Sequence, residues 1–213
     1  MPIELKICGI NSKSIIETIV RNGGCQYLGF IFYPPSPRHL SIQQSKELTS
    51  IVPYYIKKVA VLVKPEKSFV EKIKNQFDYL QVYETSPSEV QQLKLISGKK
   101  IIQAIKVKEN SDIDSYKQYV GITDNFLFDS PFLEKSSKFN WDCLKNIAIK
   151  GWFLAGGIDI NNLKEASKIS QKIDISSSLE DNPGKKSIQK VSNFLEKVKK
   201  LWEIALKIFQ TTE

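Results

Sequence analysis

A single histidine, His39, occurs in 213 residues. That scarcity excludes a histidine-based nucleophilic triad and a metal site built from several histidines. Cysteine is scarce too: Cys8, Cys25 and Cys143 are odd in number and widely spaced, which argues against a disulfide framework and for a reducing, cytoplasmic setting. No apolar run approaches the roughly 20 residues that a membrane span needs, and the opening MPIELKICG leads into a strand pattern, not a signal peptide. Neither G-x-G-x-x-G nor a Walker motif occurs, so nothing points to a dinucleotide or ATP. The chain also lacks any linker, repeat or low-complexity break.

What is present is an ordinary globular composition, 41% hydrophobic and 25% charged. The net charge is +8, with lysines scattered as doublets at 57–58, 99–100, 185–186 and 199–200. They form no single basic stripe interleaved with aromatics, so the expectation is solvated helix surfaces and no nucleic-acid partner. An anionic small-molecule ligand fits the charge equally well.

Eight segments read as strands: 4–10, 27–33, 57–63, 78–84, 99–107, 125–130, 152–155 and 172–176. Their apolar residues run continuously instead of alternating, as in a parallel sheet buried on both faces. Helix signals lie between them. A capping box is expected from Ser14 to Glu17 with Gly23-Gly24 as the stop, another at Ser41 and Gln44, and another at Ser86-Pro87-Ser88-Glu89. Eight βα units in one chain of this size predict the α/β class, a single-domain (β/α)8 barrel over residues 1–200. Residues 201–213 then extend the last helix. Ile188, Val191, Leu195, Val198, Trp202, Ala205 and Phe209 form one apolar stripe along it, and Leu201, Ile204, Leu206 and Ile208 make the overhang apolar around much of its circumference. That overhang either folds back under the barrel or meets a second copy of the chain, a homodimer through the C-terminal helix.

Barrel chemistry sits at the carboxyl ends of the strands. The segment 152–186 places Gly156-Gly157 after one strand and Ser176-Ser177-Ser178 after the next, each followed by an amphipathic run. Two strand–turn–helix units of this kind predict a phosphate site, with backbone N–H groups aimed at one point and helix dipoles behind them. Cys8 ends the first strand. It is either a small buried apolar residue or a functional thiol whose pKa a nearby cation depresses. Asp129 ends FLFDS and either caps the following turn or stands in the pocket. Arg38, in SPRHL before the second helix, either grips a ligand carboxylate or pairs with a surface acid. A thiol, a carboxylic acid, an arginine and a phosphate site suit proton transfer on a phosphorylated sugar that also bears a carboxylate.

KICGI at 6–10, GFIFYPPSPRHLS at 29–41, FLAGGIDINNLKEA at 153–166 and IDISSSLEDNPGKKS at 173–187 occur in that order. Together they resemble the phosphoribosylanthranilate isomerase family of tryptophan biosynthesis, over essentially the whole chain to about residue 200. The resemblance implies a TIM barrel and an Amadori rearrangement that requires no cofactor and no metal. Asp129 would be the general acid and Cys8 the general base. Arg38 would hold the anthranilate carboxylate, and N–H groups around Gly156, Gly157, Ser177 and Ser178 the phosphate. The alternatives are a divergent barrel that binds an anionic phosphate ligand without turnover, and another phosphosugar enzyme such as an epimerase. The chain departs from the family pattern in four places. Ser178 replaces a glycine, Tyr83-Glu84 stand for a His-Gly pair, Asn11 stands for a threonine and could cap the first helix, and LEKSSKFNW at 133–141 replaces a glycine-rich loop. In that loop either Lys135 or Lys138 reaches the phosphate in compensation, with Ser136 and Ser137 offering hydroxyls, or the loop is a solvated surface segment and the site is weakened.

Overall fold

Short runs of Val, Ile, Leu and Phe become eight parallel strands: β1 (Glu4–Cys8), β2 (Tyr27–Phe32), β3 (Lys57–Val63), β4 (Tyr79–Tyr83), β5 (Lys100–Lys106), β6 (Asn125–Asp129), β7 (Phe153–Leu154) and β8 (Lys172–Ile175). The structure, a computed structural model, describes residues 3–131 and 138–210, the side chains of 204–210 excepted. Each strand pairs with the next, and β8 returns to β1 through Lys6↔Asp174 and Ile7↔Ile175, which closes the barrel. The expected (β/α)8 architecture is the one observed.

Alternation along each strand sorts the side chains. Cys8, Val61, Tyr83, Ile102, Leu127 and Phe153 belong to one buried cluster inside the barrel. Leu5, Ile7, Leu28, Phe30, Leu80 and Phe128 belong to a second, larger one beneath the helices. Each fully buried side chain of this type contributes about 1.5–3 kcal/mol, so the two faces together explain why the strands are apolar throughout. β7 is cut to two residues because Gly156 and Gly157, at φ +83° and +68°, turn the chain out of the sheet.

The helices are α1 (Lys13–Asn22), α2 (Ile42–Ser50), α3 (Lys67–Ile73), α4 (Pro87–Ser97), α5 (Asn110–Ile113), α6 (Leu163–Ile169) and α7 (Ile188–Gln210). The boxes at Ser41/Gln44 and Ser86/Glu89 both form, the second with Pro87 in the first turn. Such caps contribute about 1 kcal/mol each. Gly23, at φ +66°, ends α1 as expected, its N–H reaching Ile19. The box expected from Ser14 to Glu17 does not form. Ser12 occupies the N-cap position without a side-chain cap bond, and Glu17 lies within α1, 4.0 Å from Lys13. Asn11 does not cap either: its Nδ2 donates to the Gly184 carbonyl at 2.7 Å and ties the first loop to the far end of the chain.

The ring of helices is thin on one side. Between β6 and β7 the described residues hold only a 3-10 turn, Trp141–Leu144, whose Trp141 and Leu144 side chains are buried where a helix face would pack. β8 is not followed directly by a helix. A 3-10 turn (Ser177–Leu179) leads into a hairpin of β9 (Glu180–Asn182) and β10 (Lys185–Lys186), and α7 starts only after it. α7 packs chiefly on α1 through Val191, Leu195 and Val198. Ile188, expected in its apolar stripe, is 52% exposed, whereas Phe194 is buried beside Val191, Leu195 and Val198. Leu201 and Trp202 pack partly against the core; the side chains of Ile204, Ala205, Leu206, Ile208 and Phe209 lie outside the described residues.

Candidate active site

Cys8 closes β1, Asp129 closes β6 and Tyr83 closes β4, so three strand ends converge on one cavity. Arg38, Gly156 and Ser177 line it too. Gly157 and Ser178 stand just behind the wall: the Gly157 carbonyl accepts from Asn162 at 2.8 Å, and the Ser178 hydroxyl donates to the Ile158 carbonyl at 2.6 Å. Gln103, another polar residue near a strand end, is buried outside the cavity.

Cys8 is 7% exposed and shares its strand face with Lys6. Lys6 is fully buried and bonds Asp174 Oδ2 at 2.8 Å, while Asp174 Oδ1 has no hydrogen-bond partner and Asp174 lines the cavity. Burial opposes the Lys6 charge, but Asp174 and Cys8 carry its pKa above the usual value. Burial likewise pushes the Cys8 thiol up; Lys6 works against this, Asp174 adds to it and Lys186 opposes it, and the net direction is upward. Nearby cations are present as expected, yet the apolar walls outweigh them. Gly29 keeps the cluster together: a Cβ there would lie 2.8 Å from Cys8 Sγ and 3.2 Å from Lys6 Nζ, so only glycine fits.

Asp129 is partly buried. Its Oδ1 accepts the Ser130 N–H at 2.8 Å and its Oδ2 the Tyr83 hydroxyl at 2.9 Å. Burial, then the charge of Asp174, push its carboxyl up to about 6, against the hydrogen bonds from Tyr83 and Ser130 and the charge of Lys6. A carboxyl poised there keeps a proton to donate near neutrality.

Arg38 is 4% exposed and does not pair with a surface acid. Its Nε and Nη2 donate to the two oxygens of buried Glu180 at 2.6 and 2.8 Å. Against burial, which acts to raise it, the Arg38 hydrogen bonds and the Lys186 charge hold Glu180 below its usual pKa. The fork has five N–H donors; two are committed to the hairpin, leaving three for a ligand.

The corner expected to take the phosphate differs from the predicted pair of helix N-termini. α6 begins at Leu163, after an Asp159-centred turn, and the 3-10 turn Ser177–Leu179 is only three residues long. Any anion there meets backbone N–H groups more than a long helix dipole. Serine is accommodated at 178 because the left-handed region is not needed: among the described residues outside glycine only Lys64 and Glu84 have positive φ. Lys138 is not directed to this corner. It pairs with Glu165 at 2.9 Å and lies 4.6 Å over the Trp141 ring, because α6 passes beside it. Lys135, Ser136 and Ser137 lie outside the described residues.

Sequence reasoning passed over Lys6, Asp174, Glu180 and Lys186. A signal existed for the first two, since a lysine in LKIC and an aspartate in KIDI are charges inside otherwise buried strands. Among the described residues no cluster of His, Cys, Asp and Glu could hold a metal, and no helix is long and apolar enough to cross a membrane.

Residues 5–197 match the family model described as N-(5'phosphoribosyl)anthranilate (PRA) isomerase. The N-(5'-phosphoribosyl)anthranilate isomerase of Rhodospirillum centenum is 32% identical over 209 residues, covering 92% of this chain and 97% of its own. That of Petrotoga mobilis is 34% identical over 207 residues, with 92% and 97% covered. In fold, the chain is similar to phosphoribosyl anthranilate isomerase from Thermotoga maritima, at TM-score 0.84 and 23% identity, covering 92% of this chain and 98% of that one. It is also similar to a phosphoribosyl anthranilate isomerase solved with reduced 1-(o-carboxyphenylamino)-1-deoxyribulose 5-phosphate, at TM-score 0.79 and 22% identity, with 92% and 98% covered.

Proposed function

We propose that Cys8 and Asp129 carry the chemistry of the N-(5'-phosphoribosyl)anthranilate isomerase family, to which this chain belongs. The chain is an isomerase of tryptophan biosynthesis, converting N-(5'-phosphoribosyl)anthranilate to its 1-deoxyribulose 5-phosphate product by an Amadori rearrangement. The observation that carries the residue assignment is the convergence of Cys8, Asp129 and Arg38 on one cavity.

Asp129 gives its proton to the ribose ring oxygen as the C1–O bond breaks, and the nitrogen lone pair forms the C=N of a Schiff base. The Cys8 thiolate then removes the C2 proton. The C–H electrons flow into the iminium, and the enolamine tautomerises to the ketone. Since the iminium is itself the electron sink, the step needs no cofactor. The Lys6 charge beside Cys8 favours the thiolate at the moment it is needed. The first N–H groups of a 3-10 turn have no partner within it, so Ser177 and Ser178, together with the Gly156-Gly157 turn, supply backbone N–H groups to the phosphate, which sits where Gly156 and Ser177 line the cavity. The uncommitted donors of Arg38 take the anthranilate carboxylate. The reading places the enzyme in the cytoplasm.

Turnover of phosphoribosylanthranilate, followed as loss of its fluorescence, tests the reading; binding of inorganic phosphate without turnover would replace it with a binding module. In the same assay Arg38→Met raises KM at least about tenfold, because a charge-assisted grip is lost. The buried pair with Glu180 adds a second effect, a stability loss of about 3 kcal/mol. A folded variant with unchanged KM removes Arg38 from the substrate. α7 continues to Gln210, and Val198 is the last fully buried residue among those whose side chains are described; the reading includes a second copy of the chain against that end. Sedimentation at a single monomer mass across concentrations, unaltered by truncation after Lys200, removes the dimer.

A further inference from the structure

β4 ends in an unusual backbone. Glu84 adopts φ +53° without being glycine, a conformation that costs about 1–2 kcal/mol. Its carboxylate is held by Lys106 Nζ at 2.6 Å, and the carbonyl just before it, that of Tyr83, accepts both the Lys64 N–H at 3.0 Å and the Thr85 hydroxyl at 2.9 Å. The strained turn fixes Tyr83, whose hydroxyl then reaches across the barrel to Asp129 Oδ2 at 2.9 Å, between residues 46 apart in sequence. One step back on the same strand face, Gln81 Nε2 donates to the Tyr83 oxygen at 3.1 Å, and Gln81 is fully buried. Because Gln81 fills a lone pair of that oxygen, the phenolic hydrogen is aimed at Asp129.

We infer that Tyr83 is a positioning residue for proton donation: through the chain Gln81–Tyr83–Asp129 it orients the carboxyl and stabilises the carboxylate left when the proton departs. The inference deepens the reading of Asp129 as general acid and rests on it. A hydrogen bond to a carboxylate is stronger than one to a carboxylic acid, so the contact tightens as the proton moves to the ring oxygen, and such a differential contact speeds the step. Tyr83 is suited to the task because burial, followed by Asp129, Cys8 and Asp174, pushes its own pKa well above the usual value, so it stays a donor. Besides each other, the charged or titratable groups that act on Tyr83 and Asp129 are Lys6 and Cys8 on β1 and Asp174 on β8; Lys106 on β5, the register partner of Asp129, is committed to Glu84.

Tyr83→Phe removes one oxygen and leaves the ring packed, with folding checked by circular dichroism. Steady-state kinetics of this variant are expected to show kcat down about tenfold to a hundredfold with KM within about twofold of wild type. Carbon-13 titration of the Asp129 carboxyl is expected to move its midpoint upward from about 6, because a hydrogen bond that favours the ionised form is lost. A kcat within twofold of wild type, or an unmoved midpoint, overturns the role of Tyr83. Asp129→Asn run alongside keeps the two ideas separable: if it turns over like wild type, the acid assignment itself is wrong, whatever Tyr83 does.

Discussion

Asp129→Asn is expected to lower kcat by at least about 10²-fold, and up to about 10⁴-fold, while leaving the protein more stable than wild type at neutral pH. The substitution keeps shape and most contacts. The amide oxygen still accepts the Ser130 N–H, and the amide nitrogen faces a Tyr83 oxygen able to accept from it. What disappears is an O–H that can be transferred. The stability gain follows from the carboxyl's pKa of about 6. Since this lies above the ordinary carboxylate value, ionising Asp129 costs folding free energy. The penalty sets in as pH rises past about 4, and it is complete above about 6. Its removal is worth about 3 kcal/mol. Activity lost with stability gained separates a catalytic role from a structural one; turnover within tenfold of wild type, or a lower melting temperature at pH 7, contradicts the assignment.

Cys8→Ala is expected to lower turnover by a similar factor, about 10²–10⁴-fold. Only a sulfur atom leaves a site that Gly29 already keeps close, and Lys6 retains Asp174, so the fold survives at a cost of about 1 kcal/mol. Cys8→Ser sharpens the test, because the hydroxyl nearly preserves shape but does not ionise in this range; it should be nearly as slow as alanine. The pH profile carries a further signature. In the proposed mechanism the reactive pair is thiolate with carboxylic acid, yet the thiol lies above its usual value and Asp129 at about 6. Below about 6 the carboxyl is already protonated while the thiolate keeps declining, and above the thiol's raised value the thiolate is complete while the protonated carboxyl keeps declining. Between them the reactive form is a constant minority, so kcat/KM should be flat across neutral pH and fall on both sides. Activity confined to a narrow peak, or Cys8→Ser within tenfold of wild type, would show that another group removes the C2 proton.

Strand runs, the caps at Ser41 and Ser86 and the Gly23 stop were legible because each rests on residues within a few positions of one another. The expected box at Ser14 failed for a local reason as well: Ser12, two residues earlier, takes the start of α1. Cys8 and Asp129 were legible as strand-end residues once eight strands implied a barrel. Their roles rested on family resemblance, since a strand end alone leaves a buried thiol or a turn cap equally open.

By itself, then, the sequence determined the eight strands, their parallel closure into one barrel and the end at which chemistry would sit, because continuous apolar runs report strands buried on both faces and strand–helix alternation reports their parallel order. Only the tertiary structure decided the partners. Lys6 meets Asp174 across 168 positions, Arg38 meets Glu180 across 142, and Tyr83 meets Asp129 across 46. Those pairings depend on how strand ends are registered around the closed barrel and on a hairpin folded over Arg38, geometry that no local pattern encodes. The same closure sets the environment of each group. Burial raises Cys8 and Asp129 through walls contributed by other strands, so their acidity is a property of the assembled barrel and not of the segments that carry them.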